Sequence, residues 1–450
     1  MTALVFGVIT HTPPLWSIIP FILLLSLIVT GPLFFAHFWH KYYKVIAVVL
    51  GLFMLSYYLL AMHDFHTPVE TMAEYVSFIS LLGSLFIVAG GIYIHADYKS
   101  RPGINVGFLI FGAVISNLIG TTGAAMLLVR PWIRLNKYKL QPYHLIFFIF
   151  IVCNVGGLLT PIGDPPLFLG FLRGVPFEFT LINLFGYWML AIGLLSLVFY
   201  LRDRKNVQNK EAEGIKASNR IVVEGIKNVF WLAIIIVAVF IDPNVYEWVP
   251  FIPLEGEDGH VMKLSFVREV IQLGSAFVCY RLSNKTALAS NEFNFEPILE
   301  VVFIFFGIFL TMMPALSLIA DFAQTERGSA MLTVSSIYWI TGVLSSFLDN
   351  APTYLNFMSA AMAKFDLNIN RTSDVLSFAE GHTAAYLAVI SLASVFFGAC
   401  TYLGNGPNFM VRSIAENSGI KMPSFMEYIY KFVFPYLLPI LFLVWLIILW

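Results

Sequence analysis

A twelve-residue stretch occurs twice in this chain and limits what it can fold into. The first copy, residues 157–168, reads GLLTPIGDPPLF, and the second, residues 398–409, reads GACTYLGNGPNF. Aligned without gaps, they share a leading Gly (Gly157, Gly398), a Thr (Thr160, Thr401), a second Gly (Gly163, Gly404), a Pro (Pro166, Pro407) and a final Phe (Phe168, Phe409). Each follows an apolar run and interrupts it with helix-breaking residues: Pro161, Pro165 and Pro166 in the first copy, Gly406 and Pro407 in the second. Proline removes a backbone donor and glycine loosens the turn, so carbonyls and amides are freed in mid-segment. In a bilayer such groups survive only where protein buries them or where they line a watery cavity. Paired Gly/Pro-interrupted segments at matching places in two halves point to the binding site of a secondary transporter.

Composition agrees with a membrane setting. Of 450 residues, 59% are hydrophobic and only 12% charged, against about 25% charged in soluble domains. No basic patch with interleaved aromatics suggests a nucleic-acid partner. Cys153, Cys279 and Cys400 each sit inside an apolar run without metal-binding spacing, which reads as small buried apolar residues. The N-terminus shows neither a basic leader nor a small-residue cleavage site, so the first apolar segment is predicted to be a span rather than a signal peptide.

A span needs about 20 mostly apolar residues. Runs of that kind predict spans at 15–36, 45–62, 75–95, 181–200, 228–241, 264–280, 297–319 and 428–450. Broken helices are predicted at 144–170 and 383–411. Two further segments, 107–129 and 332–362, are split by polar residues into pieces too short to cross and are read as re-entrant hairpins. The expected fold is an all-α polytopic membrane protein with about ten full spans. A first repeat (1–200) and a second repeat (228–450) are joined by a charged cytoplasmic linker at 201–227. Most of the 26 Lys and Arg fall on one side, while Asp64, Glu70, Glu255, Glu257 and Asp258 fall on the other. Five spans per half is an odd number, so the repeats are expected to be inverted, with both termini on the non-cytoplasmic side of the cell (inner) membrane. Trp132, Trp188, Trp248 and Trp450 are read as interfacial belts.

Two hairpin tips and two helix breaks are expected to meet near the midplane. Together they offer Ser116, Asn117, Thr121, Thr122, Thr160, Asp164, Asp349, Asn350, Thr353, Thr401, Asn405 and Asn408. The backbone is opened there by Gly157, Pro161, Gly163, Pro165, Pro166, Pro352, Gly404, Gly406 and Pro407. Hydroxyls, amide oxygens and freed carbonyls are hard ligands suited to Na⁺ or Li⁺. An unpaired Asp at a helix centre costs about 2.5–3.5 kcal/mol on insertion scales and usually marks an ion path or proton relay. The plainer alternatives are that Asp164 and Asp349 cap restarting helices and that Thr160 and Thr401 bond back to their own helices.

At these motifs the sequence resembles the ion transporter superfamily, and within it the NhaD-type sodium/proton antiporters. The likeness is carried by LTPIGDPP (159–166), LDNAPT (348–353), TYLGNGPN (401–408) and SNLIGTTG (116–123). The resemblance implies a scaffold domain, a moving transport domain, a homodimer and elevator-type alternating access. Carboxylate-carrying relatives have a Ser-Asn-Thr tip in both hairpins. Here Ser116-Asn117 is kept, and the second tip has Asp349 where Ser is expected. That carboxylate would repel a di-anion, and no Arg or Lys lies at either tip or break. The expected function is therefore exchange of Na⁺ or Li⁺ for H⁺ at the Asp-containing site, with no cofactor, no enzymatic activity, and small cations and the bilayer as partners. The alternative is Na⁺-coupled transport of citrate, a dicarboxylate or another anion. An intramembrane aspartyl protease is disfavoured because Pro161 stands where a second Gly is needed.

Overall fold

The computed structural model describes residues 4–5, 12–97, 100–206, 220–243, 246, 248–255 and 261–449. It is an all-α polytopic membrane protein. Among the described residues, 8 helices are long and apolar enough to cross a bilayer. The predicted loop between the first two spans is absent: helices Ile19–Phe34 and Ala36–Leu60 meet at the single non-helical residue Phe35. In the second half, Asn228–Ala238 and Val267–Leu282 have only 11 and 16 residues. Most of the linker (207–219), Glu257, Asp258 and Trp450 lie outside the described residues. The predicted span at 75–95 ends as a helix at Gly90, and Tyr93–Asp97 pairs antiparallel with Arg220–Glu224 from the linker region. A short parallel-and-antiparallel sheet joins Leu4–Val5, Ile252–Glu255 and Val261–Leu264.

The continuous helical segment Pro102–Leu135 is a hairpin. Gly120 alone is non-helical inside it, with φ 77° and ψ 155°, a conformation that costs a side chain dearly but glycine little. The two arms therefore fold back on each other. A Cβ on Gly112 would lie 3.3 Å from Leu128, and Asn105 donates to Asn136 Oδ1 at 2.8 Å. In a straight helix those last two residues would be about 46 Å apart. The arms reach beyond the predicted 107–129 because Pro102 starts the first helix and polar contacts hold both bases. The second hairpin consists of Val334–Phe347 and Asn350–Ala363, closed at its base by Lys364 Nζ donating to Leu332 O at 2.6 Å.

Helix His66–Gly90 (about 37 Å long) shows that the hairpins open towards opposite ends. Near its Gly90 end, the Arg134 guanidinium at the base of the first hairpin lies 4.8 Å from the Tyr93 ring centroid. At its other end, Glu70 and Glu74 hold Arg173, which also hydrogen-bonds Asn370 in the loop leaving the second hairpin. Two predicted interfacial tryptophans are interior instead. Trp132 is fully buried and donates to His144 O at 3.0 Å, and Trp188 donates to Gly156 O at 3.1 Å. Each indole N–H finds a buried backbone carbonyl, which satisfies its donor away from the interface. All three cysteines are buried and free.

Candidate functional site

Both broken helices are built alike. The first runs as Pro142–Ile151 and a tight turn Val155–Leu159, then extends through Thr160 before restarting as Pro165–Arg173. The second runs as Ala384–Phe397 and Gly398–Cys400, extends through Thr401 and restarts as Gly406–Asn417. Asp164 (φ −144°, ψ 144°) and Asn405 (φ −153°, ψ 136°) occupy the same position before each restart. Proline one or two residues later costs nothing there, since the first amides of a helix have no intrahelical partner. The repeated glycines are close-approach positions. A Cβ on Gly163 would lie 2.1 Å from Gly157 O, and one on Gly404 2.6 Å from Gly398 O. We expect Gly163→Ala to destabilise the fold by about 1–3 kcal/mol. Gly406→Ala, whose Cβ meets nothing within 4 Å, is expected to leave the melting temperature in detergent unchanged.

The hairpin arms are pinned to the breaks by matching bonds. Ser116 Oγ donates to Val152 O at 2.7 Å, and Ser345 Oγ to Ser394 O at 2.6 Å. Thr160 Oγ1 donates to Asn117 O at 2.6 Å, and Thr401 Oγ1 to Ser346 O at 2.5 Å. The two Thr side chains thus bridge: each donates to a hairpin and accepts from an amide of its own break, Gly163 N at 3.1 Å and Gly404 N at 3.1 Å. These bonds make Ser116-Asn117 equivalent to Ser345-Ser346, and Gly120-Thr121 equivalent to Asp349-Asn350. The expectation that Asp349 replaces the Ser of a Ser-Asn-Thr tip is therefore corrected. Ser116 and Asn117 lie about one turn before the tip, where Asn117 accepts from Leu159 N at 2.8 Å and donates to Gly156 O at 2.7 Å.

At the centre the two equivalent pairs, Asp164 with Asn405 and Thr121 with Asn350, meet, and three of the four side chains converge on the Asp164 carboxylate. Asp164 is 1% exposed. It accepts from Thr121 Oγ1 at 2.7 Å, from Asn405 Nδ2 at 3.0 Å and, on its other oxygen, from Asn350 Nδ2. It makes no capping bond to its own helix. Asp349 does cap, accepting from Ala351 N at 3.1 Å, and is half-buried beside Asn350. Asn408 donates to Gly398 O at 2.8 Å and Thr401 O at 2.9 Å, satisfying carbonyls that the break frees. Thr353 bonds back to Asp349 O at 3.1 Å, and Thr122 is half-buried. Pro352 sits in the first turn of the second hairpin's return arm.

Sequence reasoning missed Asn154, which donates to Asn408 Oδ1 at 2.7 Å and accepts from Asn405 Nδ2 at 3.3 Å. Its signal was a lone amide between an apolar run and Gly156-Gly157. One acceptor in the centre is left over: Asn350 Oδ1 is buried without a hydrogen-bond partner. Among the described residues, no Lys or Arg hydrogen-bonds or ion-pairs with any of the twelve predicted site residues.

A family described as "putative citrate transport" matches residues 10–449. The chain belongs to this family. Curated proteins give no match. Membership of the citrate-transport family makes the chain a membrane transporter, and the match runs through both hairpins and both broken helices. The narrower placement with NhaD-type antiporters is not supported by it.

Proposed function

We propose that this protein is a cation-coupled secondary transporter of citrate-class carboxylates, and that the Asp164 junction holds the coupling cation. The observation that carries the cation half is the buried, uncapped Asp164 carboxylate next to the unpartnered Asn350 Oδ1. A charge buried without a cationic partner is costly, and a Na⁺ or a proton arriving with substrate relieves that cost. The Asp164 carboxylate, Asn350 Oδ1 and the Thr121 hydroxyl offer the oxygen ligands that Na⁺ favours, with Asn405 Nδ2 holding the carboxylate in place. The anion half rests on the family match. Alternating access would carry the junction between the two faces towards which the hairpins open, with the two repeats as inverted halves and a homodimer as the working unit.

Na⁺/H⁺ antiport is the second reading, favoured by one observation: no basic side chain at the junction balances an anion. Proteoliposomes separate the two. With labelled citrate outside and an inward Na⁺ or H⁺ gradient, uptake is expected to exceed protein-free vesicles at least tenfold and to collapse with the gradient. Sodium-driven alkalinisation of an internal pH dye, with no citrate uptake, would replace the first reading by the second.

A further inference from the structure

Away from the junction lies a polar cavity of about 210 Å³. It has space for about seven waters at roughly 30 Å³ each, or for an organic acid of a few carbons. Six parts of the chain meet around it: the end of the first broken helix (Arg173), the start of His66–Gly90 (His66, Glu70, Glu74), the turn with Asp242, the strand Val261–Leu264 (Lys263), the start of Val267–Leu282 (Arg268) and the loop with Asn370.

The charges around it are unevenly spent. Glu70 and Glu74 both hold Arg173, at 3.1 Å and 2.6 Å. Arg268 is 8% exposed; its Nε donates to Glu269 at 2.9 Å and its Nη2 to Ser77 Oγ at 3.1 Å. Its Nη1 makes no hydrogen bond and is ion-paired with Asp242 at 3.8 Å. Lys263 Nζ donates only to Pro243 O, at 3.2 Å, among the described residues. His66 Nε2 is also buried without a partner. Arg268 Nη1 and His66 Nε2 are nitrogens able to donate that hydrogen-bond none of the lining carboxylates, Glu70, Glu74 and Asp242.

We propose that this cavity is an outer carboxylate-binding site, in which Arg268 Nη1 and Lys263 Nζ take one carboxylate of a di- or tricarboxylate before it reaches the junction. The proposal rests on the carboxylate-transport reading and supplies the basic residues that the junction lacks. The cavity lies at the end of His66–Gly90 that the charge pattern predicts to face outwards. A carboxylate on a guanidinium edge forms charge-assisted hydrogen bonds, stronger than neutral ones. Arg173, already held by two glutamates, is a wall of the site and not a ligand.

The test is equilibrium binding of labelled citrate to the full-length protein in lipid nanodiscs, with uptake measured in parallel in proteoliposomes. Asp164→Asn is expected to stop citrate uptake while citrate binding at the outer site persists. Arg268→Gln is expected to weaken binding about tenfold, the size of one charge-assisted bond, and to raise the uptake KM at unchanged maximal rate. Lys263→Gln gives a smaller shift in the same direction. Because that amine holds a backbone carbonyl and the face of Phe251 but no carboxylate among the described residues, its variant carries the test if Arg268→Gln does not fold. Binding lost in Asp164→Asn and unchanged in the cavity variants overturns the outer site and leaves carboxylate transport standing. Neither binding nor uptake of citrate by the unmodified protein overturns both.

Discussion

Asp164→Asn is expected to stop coupled transport, by at least about a hundredfold, in a protein that still folds. The substitution keeps the shape of the side chain and its place before helix Pro165–Arg173. One amide oxygen can still accept from Thr121 and Asn405, which now share Oδ1 at 2.7 Å and 3.0 Å. Two things change. The amide that replaces Oδ2 would face the Asn350 amide donor to donor, and the negative charge is gone. Losing the charge matters more: a unit charge about 4 Å from a cation, at an effective dielectric of about 20, is worth about 4 kcal/mol, near a thousandfold in affinity. A hydrogen bond to a charged group is worth about 1.5–3 kcal/mol, so Asn405→Ala should cost transport about tenfold to a hundredfold, less than loss of the charge. Initial uptake rates in proteoliposomes, at matched protein incorporation, check both. An Asp164→Asn rate within threefold of the unmodified protein would remove the carboxylate from the coupling step.

That ordering was partly legible in the sequence. Asp164 and Asn405 hold the same place in the twelve-residue repeat, and their side chains touch. Thr121 and Asn350 were picked out because each stands at a break in an apolar run, and both donate to Asp164. Breaks are legible because Gly and Pro act locally, through φ and a missing amide. Equivalence between the hairpins was not legible. Reading Asp349 in the place of a tip serine paired it with Ser116, whereas the bonds to Val152 O and Ser394 O pair Ser116 with Ser345. Serines in an apolar arm carry no sequence mark of what they will bond. The same limit hid the polar clusters. Asp203 read as the start of a solvated linker, but helix Phe179–Asp203 carries it inwards, where its carboxylate meets groups from three other segments.

This hidden cluster gives the largest expected effect on stability. Asp203 accepts from Lys139 Nζ at 2.8 Å, Tyr143 OH at 2.7 Å and Asn105 Nδ2 at 2.9 Å, and it bonds His144 Nε2 at 3.1 Å. One carboxylate thereby ties the base of the first hairpin to the start of the first broken helix and to the end of the following span. The side chains of Lys139 and Asp203 are 3% and 0% exposed. Removing the acid alone leaves a buried ammonium without a counter-charge, which costs about 3–5 kcal/mol. At roughly 2 °C per kcal/mol in a chain of this size, Asp203→Ala is expected to lower the melting temperature in detergent by about 6–10 °C. The double variant Lys139→Met/Asp203→Leu removes both charges and should recover more than half of that loss, since an apolar pair of similar volume replaces a buried ion pair at little cost. The remainder belongs to the Tyr143 hydroxyl and His144 Nε2, which lose their partner. A single variant that melts within about 2 °C of the unmodified protein, or a double variant that melts below the single, would mean that the buried ammonium is not what Asp203 holds in place.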